Sequence, residues 1–264
     1  MAEHSSHSLD SFSYSHARRS FPRGEVRPGE FTAETVLIAG GDVGAGPVAA
    51  RLVARGGGLP VIARCARDDE ALRLQAELRA GGADCVVLES DPTCPGQLFE
   101  ELENNGLYPT QLYHFMRTGP FDEPSTGDSR ALYEHFARVH IDAFVALALG
   151  CRVRTEGRLG LFYASSTVVA VEESPLHEYT GALAAGEELC WDFAGADPSI
   201  CSVVCRLPHV LEDPSSSLAG GSARPAGEVL TAPLRALQRA RAGLTLSDCI
   251  DPAPGRGHPI PLAS

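Results

Sequence analysis

The chain of 264 residues has no lysine; all twenty-two of its basic side chains are arginine. A guanidinium stays protonated and cannot stand in for an amine that shuttles a proton, so lysine chemistry is excluded. This holds whether the bias reflects GC-rich coding or selection. Asparagine occurs only at Asn104 and Asn105, which nearly excludes asparagine-dependent chemistry. Eight cysteines (Cys65, Cys85, Cys94, Cys151, Cys190, Cys201, Cys205 and Cys249) form no CxxC pair and no Cys/His metal spacing. Cys201 and Cys205 share a strand face, but two ligands do not make a site, so no metal is expected. All eight read as reduced core residues of a cytoplasmic protein. No stretch approaches the roughly 18 to 20 apolar residues of a membrane span, and the first twenty residues lack a signal-peptide core. A formal charge of -12 argues against a nucleic-acid partner, which would need a basic surface.

What is present is a composition that is 44% hydrophobic, enough to bury one α/β core. Residues 1–34 are polar and broken by proline and glycine, which predicts a mobile leader, with a docking arm as the other reading of its His and Arg. From Thr35 the pattern becomes strand (TVLIAG), helix (PVAARLVARG), strand (LPVIARC), helix (DDEALRLQAELRAGG) and strand (DCVVLES). This βαβαβ order opens a doubly wound parallel sheet with helices on both faces, a Rossmann-like domain over 35–264. QLYHFM reads as a fourth strand, 129–154 as one long helix, RLGLFYASS as a fifth strand, 178–194 as a helix and SICSVVCRL as a sixth strand. Residues of about 212–245, rich in Ser, Gly and Pro around one short helix, suit a substrate loop or lid.

Between the first strand and helix, Ala39-Gly40-Gly41-Asp42-Val43-Gly44-Ala45-Gly46 places Gly40, Gly44 and Gly46 where a tight turn lets backbone amides approach a pyrophosphate. The second strand ends in Arg64 with no acidic residue to hold a ribose 2′-hydroxyl, which favours NADP over NAD; an ordinary surface role for Arg64 or Arg67 is the alternative. Asp91, after the third strand, either accepts from an adenine amino group or caps the turn before Pro92.

The glycine spacing, the strand order and a Ser…Tyr pair thirteen residues apart, Ser166 and Tyr179, make residues 35–213 resemble the short-chain dehydrogenase/reductases. RALYEHFARVHIDAFVALA and GRLGLFYASS are similar to ketoreductase domains of polyketide assembly lines. The resemblance implies hydride transfer from a nicotinamide to a carbonyl of a small or carrier-bound acyl substrate, with Ser166 hydrogen-bonding the carbonyl oxygen and Tyr179 donating the proton. It also implies homo-oligomers joined through the helices that carry the tyrosine.

Departures from the family are heavy. The lysine position four residues after the tyrosine holds Leu183, and the helix position that carries asparagine in the wider family, or lysine in polyketide ketoreductases, lies near His140. His140 relays protons or merely packs. The backbone-lined segment after the fourth strand is replaced by His114-Phe115-Met116-Arg117, bringing bulk to the nicotinamide side, where Arg117 either supplies charge or blocks. The proline-glycine after the sixth strand becomes Pro208-His209. Three functions follow: an NADP-dependent reductase of polyketide-like specialised metabolism; a non-redox cyclase, dehydratase or isomerase using Tyr179, Ser166 and His140; or a non-catalytic scaffold.

Overall fold

The computed structural model describes residues 26–64, 69–117, 128–170, 176–208, 210 and 224–243. Six strands form one sheet: β1 (Thr35–Ala39), β2 (Leu59–Ala63), β3 (Val86–Leu88), β4 (Gln111–His114), β5 (Leu159–Ser166) and β6 (Ile200–Leu207). Every pairing is parallel and the order is β3-β2-β1-β4-β5-β6. The expected doubly wound α/β fold is therefore present, with its topological switch between β1 and β4, where such sheets open a crevice at the carboxyl ends of their strands.

The near-continuous apolar runs of the central strands follow from burial on both faces. Alternate residues feed two cores. Val36, Ile38, Ile62 and Phe162 pack with α1 (Gly46–Arg55), α2 (Glu70–Ala80) and α7 (Ala226–Arg241). Leu37, Leu112, Leu161 and Tyr163 pack on the opposite face with α3 (Pro95–Asn104), α5 (Phe144–Arg152) and α6 (His177–Ala196).

The structure departs from the sequence expectations at four points. Residues 95–104, which carried no element in the sequence reading, form α3. Its Leu98, Phe99 and Leu102 are buried, and Glu101 accepts hydrogen bonds from the Ser90 hydroxyl (2.6 Å) and from the Glu89 and Ser90 amides beyond β3. Residues 26–34, placed in the leader by the sequence reading, pack on the domain: Val26 and Phe31 are buried, and Glu34 receives hydrogen bonds from Thr110 (2.5 Å), Arg241 (2.7 Å) and Gln238 (3.1 Å). Burial would raise the Glu34 carboxyl, but these donors more than offset it and hold it below the usual carboxylate range. Residues 1–25 lie outside the described residues. The short helix expected within the loop or lid is α7, and it belongs to the core, with Leu230, Leu234 and Leu237 fully buried and the Arg235–Glu30 ion pair tying it to the first turn. Residues 211–223 fall outside the description.

The helix expected over 129–154 is interrupted. α4 (Ser129–Ala137) and α5 are joined by a π-helical segment, Arg138–Ala143. A π turn breaks the i→i−4 ladder, and the Tyr163 hydroxyl donates to the exposed-for-bonding carbonyl of His140 (3.1 Å).

Candidate active site

Because all six strands run the same way, the residues singled out from sequence line up along one edge of the sheet. Across the strand order they read Asp91, Arg64, Gly40, Arg117 and Ser166, beyond β3, β2, β1, β4 and at the end of β5.

The glycine turn is tightly folded. Gly40 and Gly44 have φ of +76° and +53°, conformations that side chains resist. A Cβ at Gly40 would meet the Phe115 and Met116 backbone at 2.8 Å, and one at Gly46 would lie 2.1 Å from the Gly40 carbonyl oxygen. The turn folds back on itself and delivers the chain into α1 with Pro47 in its first turn. The sequence suggested bulk after β4, but Phe115 and Met116 enter the two opposite cores and His114 is fully buried. Only Arg117 stays exposed, and its guanidinium lies 3.2 Å from the point a Gly44 Cβ would occupy.

At the β2 tip, Arg64 is largely buried and pairs with the exposed Glu89 carboxylate at 3.3 Å. A phosphate reaching Arg64 would share it with Glu89 or displace that side chain. Asp91 realises the turn reading, its Oδ1 accepting from the Thr93 amide and hydroxyl, both at 2.8 Å. Arg67 and His209 lie outside the described residues.

Ser166 is half-buried, and its Oγ accepts weakly from the Val168 amide (3.4 Å) in the 3₁₀ turn Thr167–Ala170. Tyr179 lies in the first turn of α6. Val168 and Val169, just beyond Ser166, pack on the apolar cluster of Phe136, Tyr179, Ala182 and Leu183. Leu183, in the lysine position, is thus a core residue. Ser129 at the start of α4 hydrogen-bonds Glu178, joining the two helix starts beside Tyr179. The Tyr179 ring is met edge-on by Phe136 (5.2 Å) and by His140 (5.5 Å).

His140 therefore stands against Tyr179, but deep in the protein at 1% exposure. Both its ring nitrogens lack a hydrogen-bond partner among the described residues. Burial, then the charges of Arg117 and His135, push its pKa down to about 3. His114, stacked on Tyr163 at 5.3 Å, is also pushed down to about 3, by burial and then by His140. Both rings are neutral at pH 7. Unfolding restores their ordinary value of 6.5, so the unfolded chain binds protons that the folded one refuses. Their native burial costs nothing in proton linkage above that value, and stability is lost as pH falls from 6.5 toward 3. We expect the melting temperature to drop between pH 7 and pH 5, and to drop less in His114→Phe. An unchanged pH slope in that variant would contradict the assignment.

Sequence reasoning missed a buried polar group behind Ser166. Glu187 in α6, 2% exposed, accepts from Arg206 of β6 through two nitrogens (2.8 and 2.6 Å) and from the Ser165 hydroxyl (2.5 Å). The available signal was a carboxylate on the stripe Tyr179, Leu183, Gly186, Cys190 and Ala194, which is buried throughout. Beside it, Gly186 has no room for a side chain: a Cβ would lie 2.1 Å from the Tyr163 hydroxyl and 2.7 Å from the His140 carbonyl oxygen.

No protein-family model matches the chain, and no curated protein matches its sequence. Solved structures do match. FolM alternative dihydrofolate reductase 1 from Brucella suis, in complex with NADP, is 18% identical with a TM-score of 0.63, covering 80% of this chain and 87% of its own. A short-chain dehydrogenase from Shigella flexneri is 14% identical, TM-score 0.67, covering 81% and 90%. LugOII, a promiscuous reductase that catalyses keto-reduction during lugdunomycin biosynthesis, is 16% identical, TM-score 0.69, covering 81% and 94%. The fold of this chain is that of the short-chain dehydrogenase/reductases.

Proposed function

We propose that the chain is an NADP-dependent carbonyl reductase of atypical active site, acting on a small or carrier-bound, polyketide-like ketone. The observation that carries this reading is the row of strand ends, which puts a glycine turn with no space for Cβ atoms at Gly40 and Gly46 on the same sheet edge as Ser166, while Val168 and Val169 just beyond Ser166 pack on the cluster that holds Tyr179. The NADP complex of the Brucella protein and the keto-reduction by LugOII agree with it.

In this reading Gly40, Gly44 and Gly46 hold the nucleotide at the start of α1, and Arg64 answers to a 2′-phosphate in competition with Glu89. Reduced NADP, when bound, supplies the hydride. The Ser166 hydroxyl donates to the substrate carbonyl oxygen, polarising it. The Tyr179 phenol, protonated at neutral pH, passes its proton to that oxygen as the alcohol forms. With Leu183 in place of an amine, release and recovery of this proton are unassisted by a cation at that position, which slows turnover without abolishing it. The neutral His140 ring packs against Tyr179 and positions it. Copies of the chain associate through α6, the helix that carries Tyr179. Among the described residues no helix is long and apolar enough to cross a membrane.

Purified protein mixed with NADPH and β-ketoacyl thioesters should consume NADPH. Tyr179→Phe should lower kcat about 10²- to 10⁴-fold while leaving NADPH affinity unchanged. Failure of the wild-type protein to bind NADPH at millimolar concentration would rule the reading out. One observation favours a second reading, non-redox acid–base chemistry on the same fold: the lysine position is filled by buried Leu183. Product formation from cofactor-free protein would select it.

A further inference from the structure

β4 delivers four consecutive residues to the crevice, and three of them turn inward. His114, Phe115 and Met116 are each at most 3% exposed. Arg117 is the first residue after β4 to reach the surface, yet its side chain does not extend away into water. It lies back across the neighbouring β1 turn, with Nη1 3.2 Å and Cδ 3.6 Å from where a Cβ on Gly44 would stand. A Cβ at Gly44 would press on this guanidinium, which would have to give by a few tenths of an ångström. The same guanidinium acts electrostatically on His140, whose ring touches Tyr179. One cation thus lies against the glycine turn and within electrostatic reach of the ring that meets Tyr179.

A molecule that spans from the turn to Tyr179 must pass this guanidinium. On the dinucleotide reading, the part of the ligand nearest Gly44 is its diphosphate, which carries paired oxygens of the spacing that a planar guanidinium fork engages bidentately. Sequence motifs of nucleotide turns do not include this position, since Arg117 is supplied from β4 rather than from the β1–α1 turn.

We propose that Arg117 is a nucleotide-anchoring residue that clamps the diphosphate against Gly44 from the β4 side. This rests on the nucleotide reading above but makes a separate demand: binding should depend on Arg117 in proportion to the diphosphate, and not to the 2′-phosphate.

Three ligands separate these terms in calorimetric or competition titrations: NADPH, ADP-ribose 2′-phosphate, and adenosine 2′-phosphate, which has no diphosphate. Arg117→Ala should weaken the first two by about 10- to 100-fold, the range for a lost charge-assisted hydrogen-bonded pair, and leave the third unchanged. Arg117→Gln should lose nearly as much, because it keeps length but not charge. The dependence of NADPH affinity on salt should also flatten in both variants. Circular dichroism checks folding, and an exposed side chain should be removable without unfolding. If Arg117→Ala binds NADPH as tightly as wild type, or weakens all three ligands equally, the clamp is wrong while nucleotide binding stands. If wild type binds none of the three, the nucleotide reading fails and the clamp fails with it.

Discussion

Replacing Gly186 with alanine is expected to lower the melting temperature by roughly 6–12 °C, the shift produced by about 3 kcal/mol in a chain of this size. The direction runs against helix propensity, by which alanine in the middle of α6 should gain about 1 kcal/mol over glycine. Sterics win because the new methyl would lie 2.1 Å from the Tyr163 hydroxyl and 2.7 Å from the His140 carbonyl oxygen, and both belong to buried, mutually bonded groups. Neither can retreat without breaking the bond that completes the π-helical segment. The companion variant Tyr163→Phe removes the hydroxyl but leaves the ring carbon at 2.4 Å, so it should relieve only part of the strain. The double variant should therefore melt above the sum of the two single losses. Thermal denaturation of all four proteins decides the matter, and a Gly186→Ala protein as stable as wild type would show that α6 does not pass this close to His140.

The second large effect concerns Glu187 and Arg206. Removing one partner of a buried ion pair strands the other charge and typically costs about 3–5 kcal/mol. Arg206 keeps 31% of its side chain exposed, which places Arg206→Leu toward the lower end of that range. In that variant Glu187, 2% exposed, retains the Ser165 hydroxyl as donor, too little for a carboxylate in the core. The double variant Glu187→Leu/Arg206→Leu leaves no stranded charge and should be more stable than Arg206→Leu alone. Urea denaturation of the two proteins should show the midpoint recovering in the double variant. Equal loss in both would mean that shape at this site, not charge pairing, sets its cost. The pair connects α6 to the ends of β5 and β6, so it fixes the helix that carries Tyr179 relative to the strand that carries Ser166.

The parts legible in the amino-acid sequence were those with a local physical cause. β1, the glycine turn and α1 could be read because a buried strand, a left-handed turn and a helix starting at proline each leave a mark within a few residues. Features that depended on who lies beside whom could not. Arg64 meets Glu89 only because β2 and β3 are neighbours, and Asp91 could be assigned to its turn only once Thr93 was seen to fold back on it. α3 was hidden because PGQLFEELEN is short, opens on proline and glycine and ends in asparagine, as a loop would; its three buried apolar residues declare a helix only when the sheet covers them. His140 had two readings, relay and packing. Its position in a π turn, beneath Tyr179 and bonded through its carbonyl to Tyr163, combines the contact of the first with the burial of the second.

That π turn also bears on how this chain can be aligned with any other. In an α-helix each residue advances the face by about 100°, so a one-residue difference in count across Arg138–Ala143 separates two registers. Anchored on α4, where Phe136 meets Tyr179, the residues are counted in one phase; anchored on α5, where Phe144 packs on Tyr163 in the core beneath α3 and α6, they are counted in another. Against a helix without such a turn, a residue-by-residue alignment slips somewhere inside the segment that contains His140. Which side chain this protein offers at its relatives' helix position is therefore a question of angle around the axis, and matching letters alone will answer it differently from each end.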